Sequence, residues 1–145
     1  MKRFIKILAF IIILGYGTYQ YFFYIDLKNN CKIFIAPSLL EFNNLTIKRA
    51  INTLRYAAPD DYTNLCKRVD VIDPNFACGG FEGGCFESSQ PRTIIIDTSQ
   101  RSMAWASAMI AHEVCHAIQY HESRQMDEHE CYVKTDEVLR KIVEL

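Results

Sequence analysis

A chain of 145 residues, half of them apolar and with a formal net charge of −1, has room for one compact core and carries no long run of either sign. That balance excludes the basic footprint of a nucleic-acid binder, and no internal repeat or low-complexity tract interrupts it.

The N-terminus reads as an export segment. Lys2, Arg3 and Lys6 form a basic flank, and the nineteen residues 7–25 carry no charge, enough to span a bilayer with little tilt. Tyr16, Tyr19, Tyr21, Phe22, Phe23 and Tyr24 are residues that favour the membrane–water interface. Two readings are open: an uncleaved signal anchor, or a signal peptide cut near Gly15-Tyr16-Gly17, where small residues fall at suitable spacing. Lack of a clear Ala-x-Ala site favours the anchor. The expected division is 1–27 as signal anchor or signal peptide and 28–145 as a single extracytoplasmic domain, either membrane-anchored or secreted and periplasmic. All six cysteines (31, 66, 78, 85, 115 and 131) follow that segment, which fits up to three disulfides in an oxidising compartment. Cys78 and Cys85 flank a glycine-rich loop able to close, and the lack of a C-x2-C pair disfavours a zinc knuckle.

Further along, residues 32–36 (KIFIA) alternate as a strand that Pro37 ends. Apolar residues in 39–57 recur at helical spacing: Leu40, Ile47, Ala50, Ile51 and Leu54. Pro59-Asp60-Asp61 reads as the stop of that helix, with a short turn or helix over 62–67, a strand over 69–72 and a glycine-rich loop over 77–86. Residues 93–97 (TIIID) make the clearest strand, β-branched and bounded by Pro91 and by Thr98-Ser99. Ser102 is placed to cap a long helix that runs to about Tyr120, and a polar turn over 122–125 leads to a final helix from about Asp127. The expected class is α+β, with the chemistry on the last two helices.

That chemistry centres on His112-Glu113-Val114-Cys115-His116, an H-E-x-x-H motif inside a predicted helix. Histidines four apart lie one turn apart on one helix face, so both imidazoles reach a single ion. Zn2+ suits neutral imidazole, and a catalytic site takes three protein ligands and keeps one position open. Glu113 points to the adjoining side, where it can take a proton from water. His121, five residues past His116, points away from the shared face. The metzincin pattern also fails, because Gln119 and Glu122 stand where Gly and His are required. The third ligand is then sought among Asp127, Glu128, His129 and Glu130. Helix phase carries the stripe of Val138, Leu139 and Ile142 back through Thr135 and Cys131 to Glu128, which faces inward. Glu130 is the alternate ligand and requires a different rotation of the helix.

HEVCHAIQ (112–119) followed by Glu128-His129-Glu130-Cys131 resembles the gluzincin pattern of small zinc metallopeptidases, in which H-E-x-x-H on one helix is followed by E-x-x-A or E-x-E-A on the next. Cys131 stands where the pattern has its small alanine, and the resemblance so implies Glu128 as ligand. It spans about residues 93–145. A zincin-like core is implied, with an edge strand at 93–97 that aligns a peptide or protein substrate, an H-E-x-x-H helix and an antiparallel third-ligand helix. Eleven residues separate His116 from Glu128, a short connection that implies a tight helical hairpin, which a Cys115–Cys131 disulfide would staple. The implied activity is peptide hydrolysis with Glu113 as base. The alternative is an exported, disulfide-stabilised binding or structural protein with a non-catalytic zinc site.

Overall fold

The computed structural model describes residues 2–37, 44–75, 83–97 and 102–144. The apolar N-terminus forms α1 (Lys2–Phe22), whose side chains from Arg3 to Gln20 are exposed. Its stretch Arg3–Phe22 is long and apolar enough to cross a membrane. The chain then passes directly into β1 (Phe23–Asp26). Four residues of the segment 1–27, expected as signal anchor or signal peptide, lie in the sheet, with Tyr24 and Asp26 turned inward. Composition hid this strand, because aromatic and β-branched residues suit a membrane interface and a strand equally well.

A tight turn at Leu27–Asn29, capped by the Asp26 carboxylate, leads to β2 (Cys31–Ile35). Here alternation does its expected work: Cys31, Ile33 and Ile35 are buried, and Lys32 is exposed. Next come α2 (Asn44–Ala57) and α3 (Pro59–Arg68), then β3 (Val71–Asp73). The expected positions 39–43 of α2 lie outside the described residues. α2 ends at Ala57, just before Pro59-Asp60-Asp61 as its reading as a stop predicts, and the same three residues open α3. Proline fits the first helical turn, where its missing N–H is not needed, and the two acids suit the positive helix end.

β4 (Gly84–Phe86) and β5 (Thr93–Ile96) complete a five-stranded sheet of order β1-β2-β3-β5-β4. β2, β3 and β5 are mutually parallel, whereas β1 and β4 run antiparallel to their neighbours. Thus the strand expected at 93–97 as the edge runs over Thr93–Ile96 and, among the described residues, lies inside the sheet between β3 and β4, and the edge beside the last helices is β4. Three residues next to glycines gave no strand pattern to read. Pairing from Gly84↔Ile96 to Phe86↔Ile94 makes them one.

α4 (Met103–His121) starts where Ser102 accepts from the Trp105 N–H, and α5 (Glu128–Val143) starts where Asp127 accepts from the N–H groups of His129 and Glu130. α4 packs against α2, α3, α5, β4 and β5 and is buried without a break from Ala106 to Ala117. The result is a mixed α+β fold with α4 as its central helix. Disulfides Cys31–Cys66 and Cys115–Cys131 tie β2 to α3 and α4 to α5. The expected Cys78–Cys85 pairing cannot be described, since Cys78 lies outside the described residues.

Candidate metal centre

Because α4 is wrapped on all sides, the polar residues of the motif are buried as well: His112, Glu113 and His116 are 4%, 2% and 6% exposed. Groups so enclosed need partners. Each histidine finds one for its Nδ1. The Thr135 hydroxyl, on the inward face of α5, donates to the carbonyl of Cys131 at 2.9 Å and lies 3.0 Å from His112 Nδ1. Its only proton is spent on that carbonyl, so its oxygen accepts from His112 Nδ1–H. His116 Nδ1 lies 3.2 Å from Gln119 Oε1. That atom is fixed as the amide oxygen because it also faces the backbone N–H of Asp127 at 3.1 Å, which can only donate.

In its neutral form an imidazole has one N–H, and with that proton at Nδ1, where each ring meets an acceptor, the two Nε2 atoms carry lone pairs. These face each other at 3.2 Å. Glu128 Oε2 lies 3.3 Å from each. In those tautomers three acceptor atoms converge with no proton between them, an arrangement that a cation resolves. The spacing fits one: ligands at about 2.0–2.1 Å from a tetrahedral ion stand roughly 3.3 Å apart. Among the described residues His112, His116 and Glu128 form the one group of three His, Cys, Asp or Glu side chains able to hold a metal ion.

Glu128 sits in the first turn of α5 with 66% of its side chain exposed, and it closes one side of the group. The alternate ligand, Glu130, is engaged elsewhere. Arg124 grips both its oxygens at 3.0 Å and Gln119 donates to one of them at 3.0 Å. Arg124, followed by Gln119, holds its carboxyl below the ordinary glutamate range. His121, set aside on helical phase, lies apart with its Nε2 3.1 Å from the carbonyl of Pro91.

A cleft of about 270 Å³ opens beside the group, lined by Gly84 to Phe86 of β4, by Met109, His112, Glu113 and His116 of α4, and by Met126 and Glu128. Glu113 lies between the cleft and the sheet edge. Its carboxylate presses on Gly84 so closely that a Cβ there would stand 2.6 Å from Glu113 Oε1 and 3.1 Å from the Ile95 carbonyl. Tyr132, from α5, leans its ring on His112 with centroids 4.9 Å apart.

Sequence reasoning brought together His112, Glu113, His116 and Glu128, and missed Gln119, Thr135 and Gly84 as parts of the site. Thr135 lay on the predicted inward stripe, which was the one signal available for it. Comparison with protein-family models, curated proteins and solved structures finds no match to this chain.

Proposed function

We propose that this protein is a zinc-dependent metallopeptidase of gluzincin type, carried to an extracytoplasmic location by α1, which serves as signal or membrane anchor. One observation carries the reading: three lone-pair donors sit 3.2–3.3 Å apart, with both histidine Nδ1 protons engaged elsewhere, beside a cleft that also holds Glu113. His112, His116 and Glu128 would hold the ion. When bound, Zn2+ supplies a Lewis acid that polarises a peptide carbonyl and acidifies a water molecule. Glu113 accepts the proton of the attacking water and returns it to the departing amine. Glu113 lines the cleft together with His112, His116 and Glu128, which is the placement that role needs. β4, the sheet edge on the side of the cleft, takes over the aligning role expected of 93–97: an extended peptide added to it would pass alongside Glu113 and the ligand group.

The test uses the full chain in detergent. About one zinc per chain is expected, with strong loss in Glu128→Ala and little in Glu130→Ala. An unstructured polypeptide mixture should be cleaved by the parent protein, and Glu113→Gln should retain zinc while losing about 10²–10⁴-fold in rate. Undiminished cleavage by Glu113→Gln would sink the mechanism. Absence of zinc binding at micromolar concentration would leave the exported binding protein as the reading.

A further inference from the structure

The Gln119 side chain is fully buried, and its four polar contacts connect groups that are otherwise separate. Its Oε1 lies 3.2 Å from His116 Nδ1 and 3.1 Å from the Asp127 N–H. Its Nε2 donates to the Asp127 carbonyl at 3.1 Å and to Glu130 Oε2 at 3.0 Å. One side chain therefore holds both backbone groups of the residue before Glu128 while it orients the ring of His116. Asp127 in turn caps α5 and sets the start of the turn that carries Glu128.

We infer that Gln119 is a positioning residue that couples the second ligand to the third, so that the orientation of His116 and the seating of Glu128 are set by a single amide. The inference rests on the proposed metal site and adds to it a residue outside H-E-x-x-H. The bonds to Asp127 run from the end of α4 to the head of α5 across eight residues, which is how a hairpin this short presents its acid at a fixed place. Arg124 provides the contrast. It braces the same hairpin through Glu130 and Glu122 and has no bond to a ligand.

The experiment measures Zn2+ affinity by competition with a chromophoric chelator, and the visible absorption of the Co2+-substituted protein, in full-length Gln119→Leu, Gln119→Glu and Arg124→Ala chains. Groups that orient a ligand histidine are worth about 10–100-fold in metal affinity, and that loss is expected for Gln119→Leu with a shifted Co2+ spectrum. Gln119→Glu keeps the acceptor for His116 and loses the donor to Asp127, so an intermediate loss is expected. It also serves if the leucine variant fails to fold. Arg124→Ala should stay within about threefold of the parent, with its spectrum unchanged, if hairpin bracing alone contributes little. Parental affinity and spectrum in both Gln119 variants, or an equal loss in Arg124→Ala, would overturn the coupling while leaving the metal site standing. A parent chain that binds neither ion would overturn both.

Discussion

At the scale of single residues, legibility followed helical geometry. His112 and His116 share a face by their spacing of four, and Glu128 was reached by extending the α5 stripe backwards, because both follow from 100° per residue. The same phase put Thr135 on the inward face but not against His112, and Gln119 and Gly84 could not be read that way at all, since these roles exist only once α4, α5 and β4 are packed together. Gly84 shows what such a residue controls. A methyl group there would collide with Glu113 Oε1 at 2.6 Å and with the Ile95 carbonyl at 3.1 Å, and of the two only the side chain is free to move. Gly84→Ala should therefore displace the carboxylate and leave the ligand atoms in place. An offset of about 1 Å at a reacting group costs on the order of 100-fold. The expected outcome is kcat lowered by about that factor, KM and zinc content little changed, and overpacking destabilisation of about 1–3 kcal/mol. Melting the Gly84→Ala variant with and without Glu113→Ala checks the contact directly. If the alanine at 84 destabilises both backgrounds equally, Glu113 is not what it strikes.

Between elements, the decisive unit is the α4–α5 hairpin. The sequence announced both helices and the Ser102 cap of the first, because capping and periodicity are local properties, and it placed Cys115 and Cys131 beside their inward faces. It did not announce that β4 rather than β5 forms the edge, since pairing order is settled by contacts between distant segments. Cys115 and Cys131 are each buried, and Cys131 Sγ approaches His116 Nδ1 at 3.6 Å. Their bond therefore lies against His116, one of the three residues proposed to hold the ion. Closing a loop of sequence separation 16 contributes about 3 kcal/mol through the unfolded chain. Cys115→Ser with Cys131→Ser should lower stability by about that amount in chelator. Added zinc should restore part of it, because an ion bound only by the folded state stabilises that state. Chemical denaturation with and without zinc measures both effects, and a loss below about 1 kcal/mol would mean that the helices hold together without the staple.

Over the whole molecule, the question is where the folded unit begins. Hydropathy places the boundary after residue 27, where the uncharged stretch has ended, but the sheet places it before Phe23. Tyr24 is buried, hydrogen-bonding to Asn52 at 3.1 Å and meeting the Tyr62 hydroxyl at 3.2 Å. Asp26 accepts from Asn29, Arg55 and Tyr62, each within 2.9 Å. The last turn of α1 is fastened too: Tyr19 stacks on Phe23 with centroids 4.6 Å apart, and the Gln20 carbonyl accepts from Lys48. Removing a buried aromatic side chain alone costs about 3–5 kcal/mol, and losing β1 also leaves Arg55 and Tyr62 without their acid. Set against the usual margin of roughly 5–15 kcal/mol, a chain beginning at residue 28 should not fold, whereas one beginning at residue 18 should. Circular dichroism melts of the two chains decide this, and an equal cooperative transition in both would show β1 to be dispensable. The longer chain carries a further signature. Asn29, then Arg55 and Tyr62, hold the Asp26 carboxyl far below its ordinary value, so its contribution is present above about pH 4 and is lost as pH falls toward the folded-state value. Asp26→Asn should flatten that part of the acid limb and leave the neutral side of the profile unchanged in shape, because only a carboxylate held below its unfolded pKa gives stability a slope of that sign.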